Sequence, residues 1–287
     1  MKVTFIGLGI MGSRMAANLL KNNIDLTVFN RSTDAAQHLK ELGATVATTL
    51  EEAVLEADLV FSMLSTPKVV KEIFFGDTGV LKKMKENAIW VDCTTVNPSF
   101  SLEALIEAKN NNVLFLDAPV AGTKPHAENA ELTFLVGGSD SLLNTVKPML
   151  ELMGGKIVHV GDHGKGSSFK MIVNILLAQS MLMFSEATLL GEKMGISKEF
   201  LLNVIPNLPV SAPFTKAKAE MIKNEDYEVQ FPLEWMHKDL HLAALTAYEV
   251  GQPLHLANVT KELFAEANKD GKGRLDFAAI HKYLEGK

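Results

Sequence analysis

The chain has 287 residues, too many for one ordinary domain and comfortable for two; 47% are hydrophobic and 22% charged, the balance of a soluble protein with a full core. A net charge of −6 argues against an electrostatic partnership with nucleic acid. Cys93 is the only cysteine, which excludes an intramolecular disulfide and implies no oxidising compartment.

The opening MKVTFIGLGI has one basic residue and runs straight into a glycine motif. It lacks the apolar region and small-residue cleavage site of a secretory leader, so a cytoplasmic location is expected. Short apolar runs predict strands at residues 3–6, 26–29, 59–64, 89–92, 113–118, 133–136 and 157–160. Amphipathic patterns between them predict helices at 12–21, 33–42, 98–111 and 141–153. Strands alternating with helices imply βαβ units and a mostly parallel sheet, and strands apolar throughout imply a sheet covered on both faces.

A glycine-rich break at 161–166 changes the pattern. Residues 167–194 then read as one long helix, closed by Gly195 with Lys193 in its last turn. Further helices are expected at 198–205, 215–224, 235–250, 254–268 and 277–284, with no alternating strand among them. The stretch 171–190 is strongly apolar, yet Asn174, Gln179, Ser180, Ser185 and Glu186 interrupt it, so it reads as a helix buried in protein rather than a membrane span. The expected organisation is an α/β domain at 1–163 and an all-α domain at 164–287.

Gly7-Leu8-Gly9-Ile10-Met11-Gly12 is G-x-G-x-x-G, placed after a predicted strand and opening a predicted helix. In that context the first glycine allows a tight turn, the second lets the backbone approach a pyrophosphate, and the third permits close helix–strand packing. The free N–H groups of the helix start favour the diphosphate. The α/β domain is therefore expected to be a Rossmann dinucleotide-binding domain.

The end of the second strand selects the cofactor. An NAD-binding domain usually carries Asp or Glu there for the ribose 2′-hydroxyl. This chain has Asn30-Arg31-Ser32-Thr33 instead. Arg31 can grip a 2′-phosphate bidentately, and Ser32 or Thr33 can add hydrogen bonds, so NADP(H) is expected. A solvated loop residue is the alternative for Arg31.

Three more segments carry candidate chemistry. Asp117-Ala118-Pro119-Val120-Ala121-Gly122-Thr123 ends the predicted strand at 113–118, and open α/β sheets bind ligands beyond the carboxyl ends of strands. Gly166-x-x-x-Lys170-x-x-x-Asn174 places Lys170 and Asn174 on one helix face. Phe231 precedes Trp235-Met236-His237-Lys238-Asp239-Leu240.

With GLGIMGSRMAANL, DAPVAGTKPHAENAELTFLVGG, GKGSSFKMIVN and the KDL segment in this order, the chain resembles the β-hydroxyacid dehydrogenases related to 3-hydroxyisobutyrate dehydrogenase. NRS after the second strand, Gly-Thr-Lys-Pro after the turn, and FPLEWMHKD are most similar to the glyoxylate/succinic semialdehyde reductases. The resemblance implies that Lys170 is the catalytic lysine, protonating the developing alkoxide as hydride reaches the aldehyde carbon. Asn174 would orient the lysine or the substrate. Backbone N–H groups of Ala121, Gly122 and Thr123 would hold the substrate carboxylate, although the family commonly has Ser where this chain has Ala121. Met63, Leu64, Ser65, Pro67 and Thr95 would lie in loops facing the nicotinamide and its ribose. Lys238 would reach the cofactor, and Phe231 and Asp239 would line the substrate pocket.

Other patterns carry less. His237 and His241 have the spacing of two metal ligands but no third partner in the sequence, and no metal is expected. Residues 268–273 resemble the start of a calcium loop, yet Lys272 and Ala279 fall where ligands belong. A homo-oligomer, dimer or tetramer, packing through the helical domain is expected. The competing readings are a 3-hydroxyisobutyrate or tartronate semialdehyde enzyme, an imine reductase, against which Lys170 counts, and a non-catalytic NADP-binding protein.

Overall fold

The structure is a computed structural model and describes residues 1–32 and 34–287. Thr33, expected to begin the second helix and to contact a 2′-phosphate, lies outside the described residues. The chain divides into two compact units, Met1–Lys170 and Met171–Lys287. The division falls inside the long helix, later than the expected one after residue 163.

The first unit alternates strands and helices: β1 (Val3–Ile6), α1 (Gly12–Lys21), β2 (Leu26–Phe29), α2 (Asp34–Glu41), β3 (Thr45–Val46), α3 (Leu50–Leu55), β4 (Leu59–Ser62) and α4 (Pro67–Phe74). There follow β5 (Ile89–Asp92), α5 (Pro98–Asn110), β6 (Leu114–Asp117), β7 (Val120–Ala121), α6 (Lys124–Glu128), β8 (Thr133–Gly137), α7 (Asp140–Glu151) and β9 (Lys156–Gly161). All seven expected strands form. The order 3-2-1-4-5-6 is parallel throughout, the arrangement of a dinucleotide-binding sheet. Beyond β6 the sheet changes sense: β8 runs antiparallel to both β6 and β7, and β9 runs parallel to β8.

Successive strand residues feed opposite layers, because side chains alternate across the sheet. Phe5, Leu59 and Phe61 pack under α1 with Met15 and Leu19, while Ile6, Val60 and Trp90 pack in the other layer with Phe74 and Phe115. Phe74 stacks on Trp90 with ring centroids 4.1 Å apart. Helices α3, α4 and α6 were not expected from periodicity, being only 6, 8 and 5 residues long. Their caps are legible: Thr49 accepts from the Glu52 N–H, and Thr66, followed by Pro67, accepts from the Val69 N–H.

Helix α8 (Lys165–Lys193) starts in the first unit and continues into the second. It ends as expected at Gly195, whose φ is +86°, with the Ile196 N–H returning to the Gly191 carbonyl. By length and composition alone α8 passes the test for a membrane-crossing helix, but Asn174, Ser185 and Thr188 are buried along it. The second unit adds α9 (Lys198–Val204), α10 (Thr215–Lys223), α11 (Leu233–Glu249), α12 (His255–Ala267) and α13 (Ile280–Glu285). The helix expected at 277–284 is a 3-10 turn, Phe277–Ala279, leading into α13. The only strand-like pairing in this unit among the described residues is an isolated bridge, Pro232 to Asp276. Phe264, Phe277, Met236 and Met181 centre its core.

Candidate active site

The glycine turn is built for a ligand that needs backbone contact. Gly7 has φ +96°, and a Cβ there would lie 2.4 Å from the Met63 carbonyl oxygen. A Cβ on Gly12 would lie 2.0 Å from the Gly7 oxygen, so α1 can start only if this position is bare. Gly9 differs, since a Cβ there would meet nothing within 4 Å. Its missing side chain leaves open space in front of the α1 N-terminus, which has no side-chain cap and no acidic residue in its first turn. That combination fits a dinucleotide pyrophosphate.

Asn30 ties this turn to the loop after β2. Its Oδ1 accepts from the Leu8 N–H at 3.0 Å, and its Nδ2 donates to the Ser32 carbonyl at 3.1 Å and to the Ser32 hydroxyl at 2.9 Å. Arg31 and Ser32 are exposed beside it, with no carboxylate at the β2 end.

The ends of β4 and β5 are locked by a buried network that sequence reasoning did not assign. Asp92 Oδ1 accepts from the Ser62 hydroxyl at 2.8 Å and from the Thr94 N–H at 3.1 Å. Ser62 Oγ accepts from the Trp90 indole at 2.8 Å, and Thr94 Oγ1 accepts from the Leu64 N–H at 3.0 Å. The loops carrying Met63, Leu64, Ser65, Pro67 and Thr95, all half-buried, are thereby fixed relative to each other. Burial pushes the Asp92 carboxyl up to about 6, against the pull of the Thr94 and Ser62 hydrogen bonds. A polar residue ending an apolar strand, as in LVFS and IWVD, is the signal that could have found this pair.

The turn expected to hold the substrate carboxylate follows β6. Ala121 is half-buried, and Gly122 adopts φ +127°, where a Cβ would also approach Leu132 at 2.9 Å. The Thr123 N–H is directed to His126 Nδ1 at 3.3 Å in the first turn of α6. Helix α1 braces α6 from the other side. Asn18 Nδ2 donates to the Ala127 carbonyl at 2.7 Å, Arg14 Nε pairs with Glu128 at 2.6 Å, and Arg14 Nη1 donates to the Ile10 carbonyl at 2.7 Å. Arg14 and Asn18, four apart and so on one face of the helix, were the available sign of that bracing.

Lys170 lies in the second turn of α8 and is 7% exposed. Asn174, one helical turn later, is buried and donates Nδ2 to Asp239 Oδ2 at 2.6 Å. A carboxylate can only accept, so the Asn174 carbonyl must point away from it. That Oδ1 is buried with no donor, an acceptor of the kind a bound ligand fills. Lys238 Nζ sits 2.7 Å from Asp239 Oδ1. The second unit therefore gathers Asn174, Lys238 and Asp239. Phe231, half-buried, is held just ahead of α11 by its N–H to Asp276 Oδ2 at 3.0 Å. Among the described residues no group of three or more His, Cys, Asp or Glu, with His237 and His241 or elsewhere, is placed to hold a metal ion. Residues Asn268–Lys272 end α12 in a kink, with Gly271 at φ +81°.

Two family models match the chain, one described as the NAD binding domain of 6-phosphogluconate dehydrogenase over residues 2–161, the other as NAD-binding of NADP-dependent 3-hydroxyisobutyrate dehydrogenase over residues 164–284. The chain is 33% identical to glyoxylate/succinic semialdehyde reductase 2, chloroplastic, of Arabidopsis thaliana, covering 99% of this chain and 79% of that one. It is 35% identical to a probable mitochondrial 3-hydroxyisobutyrate dehydrogenase of Dictyostelium discoideum, covering 98% and 90%. Among solved structures, Mycobacterium tuberculosis 3-hydroxyisobutyrate dehydrogenase with L-serine superposes with a TM-score of 0.89 at 32% identity, covering 99% and 98%. With these matches spanning both units, the chain belongs to the β-hydroxyacid dehydrogenase family and is an NAD(P)-dependent oxidoreductase acting on CH–OH groups.

Proposed function

We propose that the protein reduces short aldehyde acids such as glyoxylate or succinic semialdehyde, using NADPH, with Lys170 as general acid. The observation that carries this reading is a largely buried lysine on α8, with an amide whose carbonyl lacks a donor one turn further along the same helix face. Bound NADPH supplies the hydride. Lys170 stabilises the charge developing on the carbonyl oxygen and gives that oxygen a proton, so the aldehyde becomes a primary alcohol. Asn174, fixed by Asp239, offers its carbonyl as an acceptor that orients either the Lys170 ammonium or the hydroxyl of the alcohol product. The turn at Ala121 and Gly122 carries backbone N–H groups with no competing carboxylate, which suits a substrate carboxylate, while the Thr123 N–H is directed to His126 Nδ1. Arg31 at the β2 end supports the NADPH preference.

The names of Arabidopsis thaliana relatives at 33% and 32% identity favour the aldehyde acids. The Dictyostelium relative favours a second reading, 3-hydroxyisobutyrate oxidation. Following 340 nm absorbance with NADPH or NADH against glyoxylate, succinic semialdehyde, tartronate semialdehyde and methylmalonate semialdehyde separates them. Rapid NADPH turnover of the first two is expected, and its loss in Lys170→Ala with NADPH binding retained. Turnover of only the branched or hydroxylated substrates would move the assignment to the second reading.

We also propose that the protein works as a homo-oligomer. Ile172, Leu176, Met183, Leu190 and Met194 on and just after α8 are each more than half exposed, a run of apolar surface that monomers rarely leave in water. Light scattering at micromolar concentration should give a multiple of 31.3 kDa; a monomer mass refutes it.

A further inference from the structure

Helix α8 lacks a cap of its own. The residues before it are Asp162-His163-Gly164, its first turn contains Lys165 and no acid, and Gly164 stands at the N-cap with φ +83°. The Gly164 carbonyl accepts the first helical bond from the Ser168 N–H at 2.9 Å. A glycine there has no side chain to take the free N–H groups, and a first-turn lysine opposes the helix dipole.

The missing acceptor comes from the end of β6. Asp117 Oδ1 accepts from the Gly164 N–H at 2.7 Å, and Oδ2 accepts from the Ser167 N–H at 2.8 Å. Asp117 is 1% exposed and Ser167 is fully buried. Two glycines make the approach possible. A Cβ on Gly137 would lie 2.5 Å from Asp117 Oδ1, and one on Gly166 would lie 2.3 Å from the Leu135 carbonyl oxygen. Ser167 Oγ meets Ser101 Oγ at 2.8 Å, which fastens the same turn to α5. Both oxygens of one carboxylate thus grip the helix start, while its own backbone opens the turn that leads to Ala121 and Gly122.

We propose that Asp117 is a positioning residue: its carboxylate fixes the first turn of α8 against the substrate turn and so fixes where Lys170, one residue-turn on, presents its ammonium. The inference rests on the reading of Lys170 as general acid. A buried carboxylate is costly to hold, and burial does push this one up from the ordinary range, with the Gly164 and Ser167 N–H groups opposing that push.

Asp117→Asn keeps the shape but places an NH2 group against one of two backbone N–H donors. NADPH bound per chain is titrated by fluorescence, and glyoxylate turnover is expressed per bound NADPH, so partial unfolding cancels. The expected result is a fall in kcat of at least about tenfold, because displacements near 1 Å cost of that order or more, with the NADPH Kd within about twofold of wild type. Asp117→Ser, which leaves room for water between the two amides, gives the same measurement should the asparagine form be insoluble. Normal kcat per bound NADPH, with Lys170→Ala inactive, overturns the inference alone. A wild type inactive on all four aldehydes, or an active Lys170→Ala, overturns the general-acid reading and the inference with it.

Discussion

Asn174 and Asp239 are joined by a 2.6 Å hydrogen bond within the second unit, and that bond decides which way the Asn174 amide faces. The donor end is spent on the carboxylate, and the buried carbonyl end has no donor. Replacing Asn174 with Ala should lower kcat/KM for glyoxylate by at least about tenfold, the scale of one hydrogen bond to a charged group. NADPH affinity should stay within about twofold. Steady-state kinetics beside a cofactor titration checks this, and an unchanged kcat/KM would remove Asn174 from the site.

Arg31→Ala should weaken NADPH binding by roughly tenfold or more, since hydrogen bonds to a charged phosphate are worth about 1.5–3 kcal/mol. NADH binding should change little. Equal losses for the two cofactors would show that Arg31 does not meet the 2′-phosphate.

Ala121→Ser tests the departure from the family pattern in the substrate turn. Position 121 is half-buried and precedes Gly122, so a hydroxyl is tolerated there without disturbing the φ that Gly122 requires. An added donor should lower KM for succinic semialdehyde by about three- to tenfold. A raised KM would mean that the methyl group of Ala121 is part of substrate fit.

His281 carries a pH dependence of a different kind. It is fully buried, neither ring nitrogen has a hydrogen-bond partner, and burial with nearby Lys198 lowers it to about 4, Glu285 opposing. The unfolded chain protonates this ring near 6.5 and the folded chain resists until about 4, so stability is lost as pH falls through that window. Melting temperatures at pH 7.5 and pH 4.5 should therefore differ less in His281→Leu than in wild type, by several degrees. An identical acid shift in both proteins would refute this.

The sequence made the strand–helix alternation and the glycine turn plain, because strands buried on both faces are apolar throughout and the motif sits where strand meets helix. Lys170 and Asn174 were legible as one helix face. What escaped were contacts made at long sequence separation. Asp92 and Ser62 are 30 residues apart, and Asp117 and Ser167 are 50 apart. No local pattern announces a cap supplied from another strand. The antiparallel turn of the sheet after β6 was hidden for a related reason: β7 is two residues long and shows no alternation.

The double role of Asn30 has a practical side for anyone wishing to change the coenzyme this protein uses. Its amide is fully occupied between Leu8 and Ser32, so it acts as a strut that transmits the shape of one loop to the other. Redesign of the coenzyme preference should leave that strut standing and begin at Arg31. A change at position 30 would disturb the glycine turn along with the loop that carries Arg31, and the two effects would arrive as a single loss of activity.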